Sequence, residues 1–278
     1  MNQSHRRLIC CVCRGRTGAA NMQTMTGLPA GNPDHRIEQN LLGQLVYDYT
    51  EPCPYLPGRE ARLQGVFAAS VADQTYRVLL DHSFRRSGQF FYRPACANCT
   101  ECRPIRVPVA SFAASKSQRR CWKKNAHLRV EIAPPHFTQE KWELYVAYQR
   151  EKHARECEND VSSLRDFLYN PVVTAMEFCY RERGGKLVAV GICDVIDDVL
   201  STVYCYYDAA DRSLGLGIYT ALYELEYAKQ QQLAYYYMGY LVKNCQAMFY
   251  KASFRPCEVL DEFGAWRRQS DDARLPSE

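Results

Sequence analysis

Apolar and polar positions divide the 278-residue chain into an unpatterned opening and two patterned regions. Residues 1–39 show no hydrophobic period and are dotted with Gly, Asn, Thr and Pro, which marks a disordered N-terminal extension. Met22 and Met25 could each begin a shorter chain, and Cys10, Cys11 and Cys13 precede both. From Asn40 the pattern becomes ordered. Pro52, Pro54, Pro57 and Gly58 punctuate a turn-rich segment. REARLQGVFA (59–68) reads as a strand, and VADQTYRVLLDHSF (71–84) as a short helix. FFYRPACANCTECRPIRVPV (90–109) reads as strand, cysteine loop, strand. In SKSQRRCWKKNAHL (115–128), Ser115 or Ser117 can cap a basic helical turn. The pattern breaks at Pro134 and Pro135, and we place a domain boundary there, between 40–133 and 134–266.

The second region alternates more cleanly. Thr138 can cap a helix that carries Trp142, Tyr145, Val146 and Tyr148 on one face, and VSSLRDFLYN (161–170) forms a second helix ended by Pro171. Three strand-like runs follow, TAMEFCYRER, KLVAVGICDVI and VLSTVYCYYD, with Gly184 and Gly185 turning between the first two. A glycine-rich loop, DRSLGLG, leads into the helix IYTALYELEYAKQQ, then the strand AYYYMGYLV and the polar helical segment KNCQAMFYKA. Residues 267–278 read as a flexible polar tail. The class is α+β, and the order of the second region resembles a GNAT-like acyltransferase domain preceded by a small N-terminal domain.

Composition narrows the setting. A hydrophobic fraction of 47% with 20 tyrosines fits an ordered globular chain. The longest apolar run, Leu187 to Cys193, stops at Asp194, and Leu8 to Cys13 is too short for a signal peptide, so no membrane is expected and the location is read as cytoplasmic. There the 14 cysteines are reduced thiols, metal ligands or small packing residues rather than disulfides. Net charge is +4, yet Arg85 to Arg129 holds eleven Lys or Arg against the single acid Glu101; the rest carries 24 basic and 30 acidic residues. A basic block on a mildly acidic body suits a polyanion such as tRNA, although a solvated Lys- and Arg-rich loop has the same composition.

Two constellations carry candidate chemistry. Arg212, Gly215 and Gly217 spell R-x-x-G-x-G between a strand and a helix, where backbone N–H groups and a helix N-terminus attract phosphate; a plain turn opening a helix has the same form. Cys96, Cys99 and Cys102 form C-x-x-C-x-x-C, a spacing that lets thiolates converge on a metal or iron–sulfur cluster with Cys53 or Cys121 as a fourth ligand, or that simply packs a tight turn. No nucleophile elbow, H-E-x-x-H or P-loop lysine motif occurs, and His82, His127 and His153 stand alone.

The run FRRSGQFFYRPACANCTECRPIRVPVASFAASKSQRRCWKKN from Phe84 to Asn125, CPYLPGREA from Cys53 to Ala61, and MGYLVKNCQAMFYKASFRPCEVL from Met238 to Leu260 carry a resemblance. Over residues 40 to 262 the chain resembles the arginyl- and leucyl-tRNA–protein transferases, and among them the short bacterial leucyl branch. The eukaryotic arginyl branch has a C-x-x-C near its start, implicated in iron–sulfur binding; here Leu56 stands at the position matching its second cysteine, which weakens the expectation of metal at Cys53, Cys96, Cys99 and Cys102.

The resemblance implies transfer of leucine from leucyl-tRNA to proteins with N-terminal Asp or Glu, marking them for N-degron degradation. The ester is already activated, and an α-amine of pKa about 8 is partly neutral, so the reaction needs positioning and oxyanion stabilisation, with no cofactor and no covalent nucleophile. For the acceptor carboxylate the candidates are Arg85, Arg93 and Arg106. For tRNA they are Arg119, Arg120, Lys123, Lys124 and Arg212, with Gly215 and Gly217; Asp208 is a candidate base. Tyr240, Lys251 and Glu258 match the C-terminal motif without an assigned role. An arginyl-tRNA–protein transferase, a GNAT acetyltransferase using coenzyme A, and a metal-dependent RNA-binding module are the alternatives.

Overall fold

The computed structural model describes residues 47–153, 161–210 and 212–269; the N-terminal extension with its cysteines and the tail beyond 269 lie outside them. The chain opens with β1 (Tyr47–Pro52), β2 (Glu60–Phe67), α1 (Asp73–Asp81), β3 (Arg85–Ser87) and β4 (Phe90–Pro94). There follow β5 (Arg103–Pro108), α2 (Lys116–Asn125), β6 (Arg129–Ala133), α3 (Gln139–His153) and α4 (Val161–Leu164), the last continuing as a π-helical turn to Tyr169. Then come β7 (Ala175–Arg181), β8 (Leu187–Ile196), β9 (Val199–Tyr207), α5 (Leu216–Gln230), β10 (Tyr235–Leu241), α6 (Gln246–Phe249), β11 (Glu258–Leu260) and β12 (Trp266–Arg268).

Local chemistry sets the helix starts. The Ser115 hydroxyl accepts from Gln118 N at 3.2 Å while the Gln118 side chain accepts from Ser115 N at 2.8 Å, a complete capping box for α2. Thr138 Oγ1 accepts from Lys141 N at 3.3 Å and opens α3.

Two sheets result. The smaller is antiparallel in the order β1-β2-β4-β3. The larger runs β12-β11-β5-β10-β9-β8-β7-β6, and only β9 and β10 are parallel neighbours. This is an α+β chain, with a small sheet formed by its first strands and a larger mixed sheet formed by the rest. The boundary read at 133/134 falls inside the region that builds the larger sheet, because β5 and β6 join it from the N-terminal side. Arg267 and Arg268, expected in a flexible tail, pair with β11 instead. β1, β3, β6, β11 and β12 were not anticipated; β1 and β3 are edge strands of the smaller sheet, β6 and β12 are edges of the larger, and β11 is only three residues long.

Alternation sorts the core between two faces of the large sheet. Phe178, Tyr180, Val188 and Cys193 pack with Leu222 and Leu225 of α5. Cys179, Val190 and Ile192 pack with Trp142, Tyr145 and Tyr148 of α3. β8 is buried on both faces, which is why it reads as the longest apolar run. Among the described residues no helix is long and apolar enough to cross a membrane.

The sheets are joined through a buried ion pair. Arg86 Nε and Nη2 donate to Asp194 Oδ2 and Oδ1 at 2.8 and 2.5 Å, with no exposed surface on either side chain. Tyr76 of α1 donates to the same carboxylate at 2.7 Å, and Arg86 Nη1 donates to Gly88 O at 3.0 Å. Gly88 has φ +60°, and a Cβ there would lie 2.4 Å from Asp166 O, so only glycine fits this turn. Removing one member of a buried pair strands the other charge. Arg86→Met is expected to cost about 3–5 kcal/mol in urea unfolding, with much of that recovered in the Arg86→Met, Asp194→Leu double variant.

Candidate active site

β9 and β10 pair only from Tyr235 opposite Val199 to Tyr237 opposite Ser201. Beyond that register β9 continues to Tyr207 and β10 to Leu241 without bonding each other, and a cavity of about 720 Å³ opens where the pairing ends. Thr202, Val203, Tyr204 and Tyr207 line it from one strand, Met238, Gly239 and Tyr240 from the other. β10 has a bulge between Tyr237 and Tyr240, and Gly239 there takes φ +80°, a conformation that suits glycine and re-aims its carbonyl. Arg212, Gly215 and Gly217 border the same cavity, with Gly215 N-capping α5 at φ +62° and no side chain capping that helix.

Arg85 lines the cavity and is 5% exposed. Its guanidinium donates to three carbonyls, Phe84 O at 2.6 Å, Gly239 O at 3.1 Å and Leu80 O at 3.4 Å, and lies over the rings of Tyr237 and Tyr240. Its Nε has no hydrogen-bond partner, and among the described residues no carboxylate pairs with it. Lys251 lines the same cavity, buried, with Nζ donating to Tyr240 O at 2.9 Å. Burial, reinforced by the Arg85 charge, pulls this amine down from 10.5 to about 7. Glu224 of α5 is the one acid among the described lining residues. Its Oε2 accepts from Tyr236 OH at 2.5 Å, Oε1 is unpartnered, and burial pushes the carboxyl up to about 7. A Cβ at position 191 would come within 2.3 Å of Oε1, so Gly191 makes the room for it.

Other expected site residues lie elsewhere. Arg106 is already met by Glu258 at 2.8 Å and Asp81 at 3.3 Å, sits over Tyr235 and Trp266, and does not border the cavity. Arg93 stacks over Phe84 at 5.1 Å and also lies off the cavity wall. Asp208 accepts from Lys186 Nζ at 2.7 Å and from Ala210 N at 3.1 Å, which makes it a turn residue outside the cavity rather than a base within it. Arg119, Arg120, Lys123 and Lys124 are exposed on α2. That helix docks on the glycine loop: Lys124 Nζ donates to Ser213 O and Oγ, both at 2.9 Å, Asn125 Nδ2 donates to Leu214 O at 2.7 Å, and Trp122 stacks on Tyr223.

Cys53, Cys96, Cys99 and Cys102 line a second cavity of about 450 Å³, behind Tyr55, Tyr92 and Tyr240. Their sulfurs are spread over different partners: Cys53 accepts from Leu56 N, Cys96 from Arg62 N and Cys99 from the Arg59 guanidinium. Burial holds the Cys102 thiol protonated. Among the described residues no group of three or more His, Cys, Asp or Glu is arranged to hold a metal ion, so the four thiols as placed do not fit the expected metal or cluster.

Sequence reasoning missed Lys251 and Glu224 as titrating groups of one cavity. The signal for Glu224 was an acid on the apolar stripe formed by Ala221, Leu225 and Ala228; for Lys251 it was only membership of the C-terminal motif.

Comparison with known proteins matches both halves. The sequence model described as the arginine-tRNA-protein transferase N terminus matches residues 51–120, and that of the C terminus matches residues 140–261. An aspartate/glutamate leucyltransferase of Halorhodospira halophila is 38% identical over 229 residues, covering 81% of this chain and 97% of its own. The chain belongs to the arginine-tRNA-protein transferase family. Another aspartate/glutamate leucyltransferase, from Thiobacillus denitrificans, is 37% identical, covering 86% of this transferase-family chain and 98% of its own. Among solved structures, L-PGS from Bacillus licheniformis matches at 12% identity and a TM-score of 0.42, covering 79% of this chain and 78% of that one.

Within the transferase, the Glu224 carboxyl gives folding a pH dependence of definite sign. Its folded pKa lies above its ordinary value of 4.5, so its contribution is full below about 4.5 and is lost as pH rises through about 7. Glu224→Gln should therefore flatten the fall in unfolding free energy between pH 5 and 8, by about 3 kcal/mol relative to the unsubstituted protein. Parallel curves for the two proteins would show an ordinary carboxyl.

Proposed function

We propose that this chain transfers leucine from leucyl-tRNA to the α-amine of proteins beginning with Asp or Glu, so marking them for N-degron degradation. The observation that carries the reading is Arg85, a buried cation with an unpartnered Nε and, among the described residues, no carboxylate partner, in the cavity that the glycine loop borders. A buried guanidinium without a counter-ion is costly, and an acidic side chain entering the cavity supplies one. Asp and Glu N-termini bring that carboxylate together with the nucleophilic amine. The names of the relatives from Halorhodospira halophila and Thiobacillus denitrificans agree with this acceptor and donor.

The donor reading follows from the walls. Phe167, Val203, Leu216, Ile218, Met238 and Met248 offer apolar surface for a leucyl side chain. The tRNA backbone is met by the exposed cations of α2, which Lys124 and Asn125 fix against the glycine loop. The amine attacks the ester carbonyl, a C–N bond forms, and the terminal ribose leaves.

Two tests follow. With labelled leucyl- or arginyl-tRNA and peptides starting Asp, Glu or Ala, leucyl transfer to Asp and Glu peptides is expected. Arg85→Ala should lower that transfer about a hundredfold, equivalent to about 3 kcal/mol, with leucyl-tRNA affinity nearly unchanged. Full acidic selectivity in the variant would move the acceptor site elsewhere. Arg120→Ala with Lys123→Ala should weaken tRNA binding for every peptide and reduce the salt slope by about one for each phosphate no longer neutralised.

A further inference from the structure

A buried guanidinium and a buried amine hang from consecutive carbonyls of β10: Arg85 Nη2 donates to Gly239 O at 3.1 Å, and Lys251 Nζ to Tyr240 O at 2.9 Å. Both line the 720 Å³ cavity, and among the described residues neither has a carboxylate partner. The Lys251 amine lies against the bulge: a Cβ at Gly239 would stand at ordinary contact distance, 3.5 Å, from Nζ. In an Asp or Glu N-terminus the α-nitrogen and the side-chain carboxyl are separated by only a short carbon spacer, so a carboxylate at Arg85 brings the α-nitrogen towards Lys251.

We propose that Lys251 is a catalytic residue, whose neutral amine takes a proton from the acceptor's α-ammonium while the acceptor carboxylate lies against Arg85. The proposal deepens the transferase reading and rests on it. The groups that face Lys251 decide its protonation. Burial is the largest influence and Arg85 the next, both against charge. The thiols of Cys102 and Cys245 are themselves pushed up by burial and stay neutral. The Tyr240 phenol is also pushed up and donates to Ser83 O. Across the cavity stand Glu224, half protonated near pH 7, and the exposed Arg212. With the cavity free of acceptor, about half of the Lys251 amine is therefore neutral near pH 7, with one hydrogen on Tyr240 O and its lone pair available.

An incoming carboxylate offsets the Arg85 charge and strengthens Lys251 as a base, so an acidic acceptor assists its own activation. The proton balance closes. Lys251 takes one proton from the α-ammonium, and the freed amine attacks the ester carbonyl, whose π electrons move to oxygen. As the tetrahedral adduct collapses, the C–O bond to ribose breaks and a second proton passes from nitrogen to the ribose oxygen. The proton on Lys251 returns to solvent after the product leaves.

The test is the pH profile of kcat/KM for an Asp peptide with leucyl-tRNA. Wild-type protein should give a bell, rising through about 7 and falling through about 8 as the acceptor ammonium is lost. Lys251→Met should fall about a hundredfold at pH 7 and lose the alkaline limb, because the amine must then arrive neutral. Lys251→Arg keeps the cation but supplies no neutral base, and should lose the same limb. Thermal unfolding of each variant separates loss of fold from loss of base. Wild-type protein alone provides a further readout: a peptide starting with 3,3-difluoroaspartate, whose amine is less basic, should pull the pH optimum down. Variants that keep the bell, or an optimum unmoved by the fluorinated acceptor, overturn the role of Lys251. Wild-type protein inactive with every aminoacyl-tRNA defeats the transferase reading and this inference together.

Discussion

Arg86 and Asp194 meet in the interior with no side-chain surface exposed, joined by two hydrogen bonds and seconded by the Tyr76 hydroxyl. Charges so buried are tolerable only in good geometry, so the pair acts as a register pin between the two sheets. β3 is three residues long and would be a weak edge by itself. Held by Arg86, it presents the preceding residue, Arg85, to the bulge of β10. The cavity's Arg85, without a carboxylate partner among the described residues, thus depends on the paired cation beside it in sequence.

The second determinant is the end of pairing between β9 and β10. A parallel pair that separates after three residues leaves strand surface uncovered, and the chain lines that gap with aromatic and apolar side chains rather than closing it. The chemistry proposed for the gap asks little of any single group. An aminoacyl ester is activated already, which agrees with the lack of a nucleophile elbow and with two weakly basic groups, Lys251 and Glu224, each poised near neutrality by burial.

The basic segment serves more than attraction. Trp122, Lys124 and Asn125 fasten α2 to the glycine loop, while Arg119, Arg120 and Lys123 stay exposed. One helix therefore sets the loop's shape and carries charge beside the cavity mouth. The cysteine run plays a packing part in the present arrangement: Cys53, Cys99 and Cys102 lie against Leu56, Tyr240 and Val242, behind the wall that carries Lys251's hydrogen-bond acceptor.

The sequence by itself determined the order of elements from α3 to β10, the capped starts of α2 and α3, the double-sided burial of β8, the glycine loop, the basic block and the family motifs, because each rests on neighbours within a few residues or on unbroken runs. The strands it left unread, β1, β3, β6, β11 and β12, are short, and all but β11 are sheet edges, so their formation depends on partner strands rather than on their own pattern. Among three arginines in matched motifs, only the tertiary structure separated Arg85 from Arg106, since Glu258, more than 150 residues away, neutralises one and no acid among the described residues reaches the other. The same holds for Asp208 against Lys251 and Glu224. Whether a titratable side chain is solvated, paired or stranded in a cavity depends on desolvation and on charges brought from distant segments, and neither is written in local spacing.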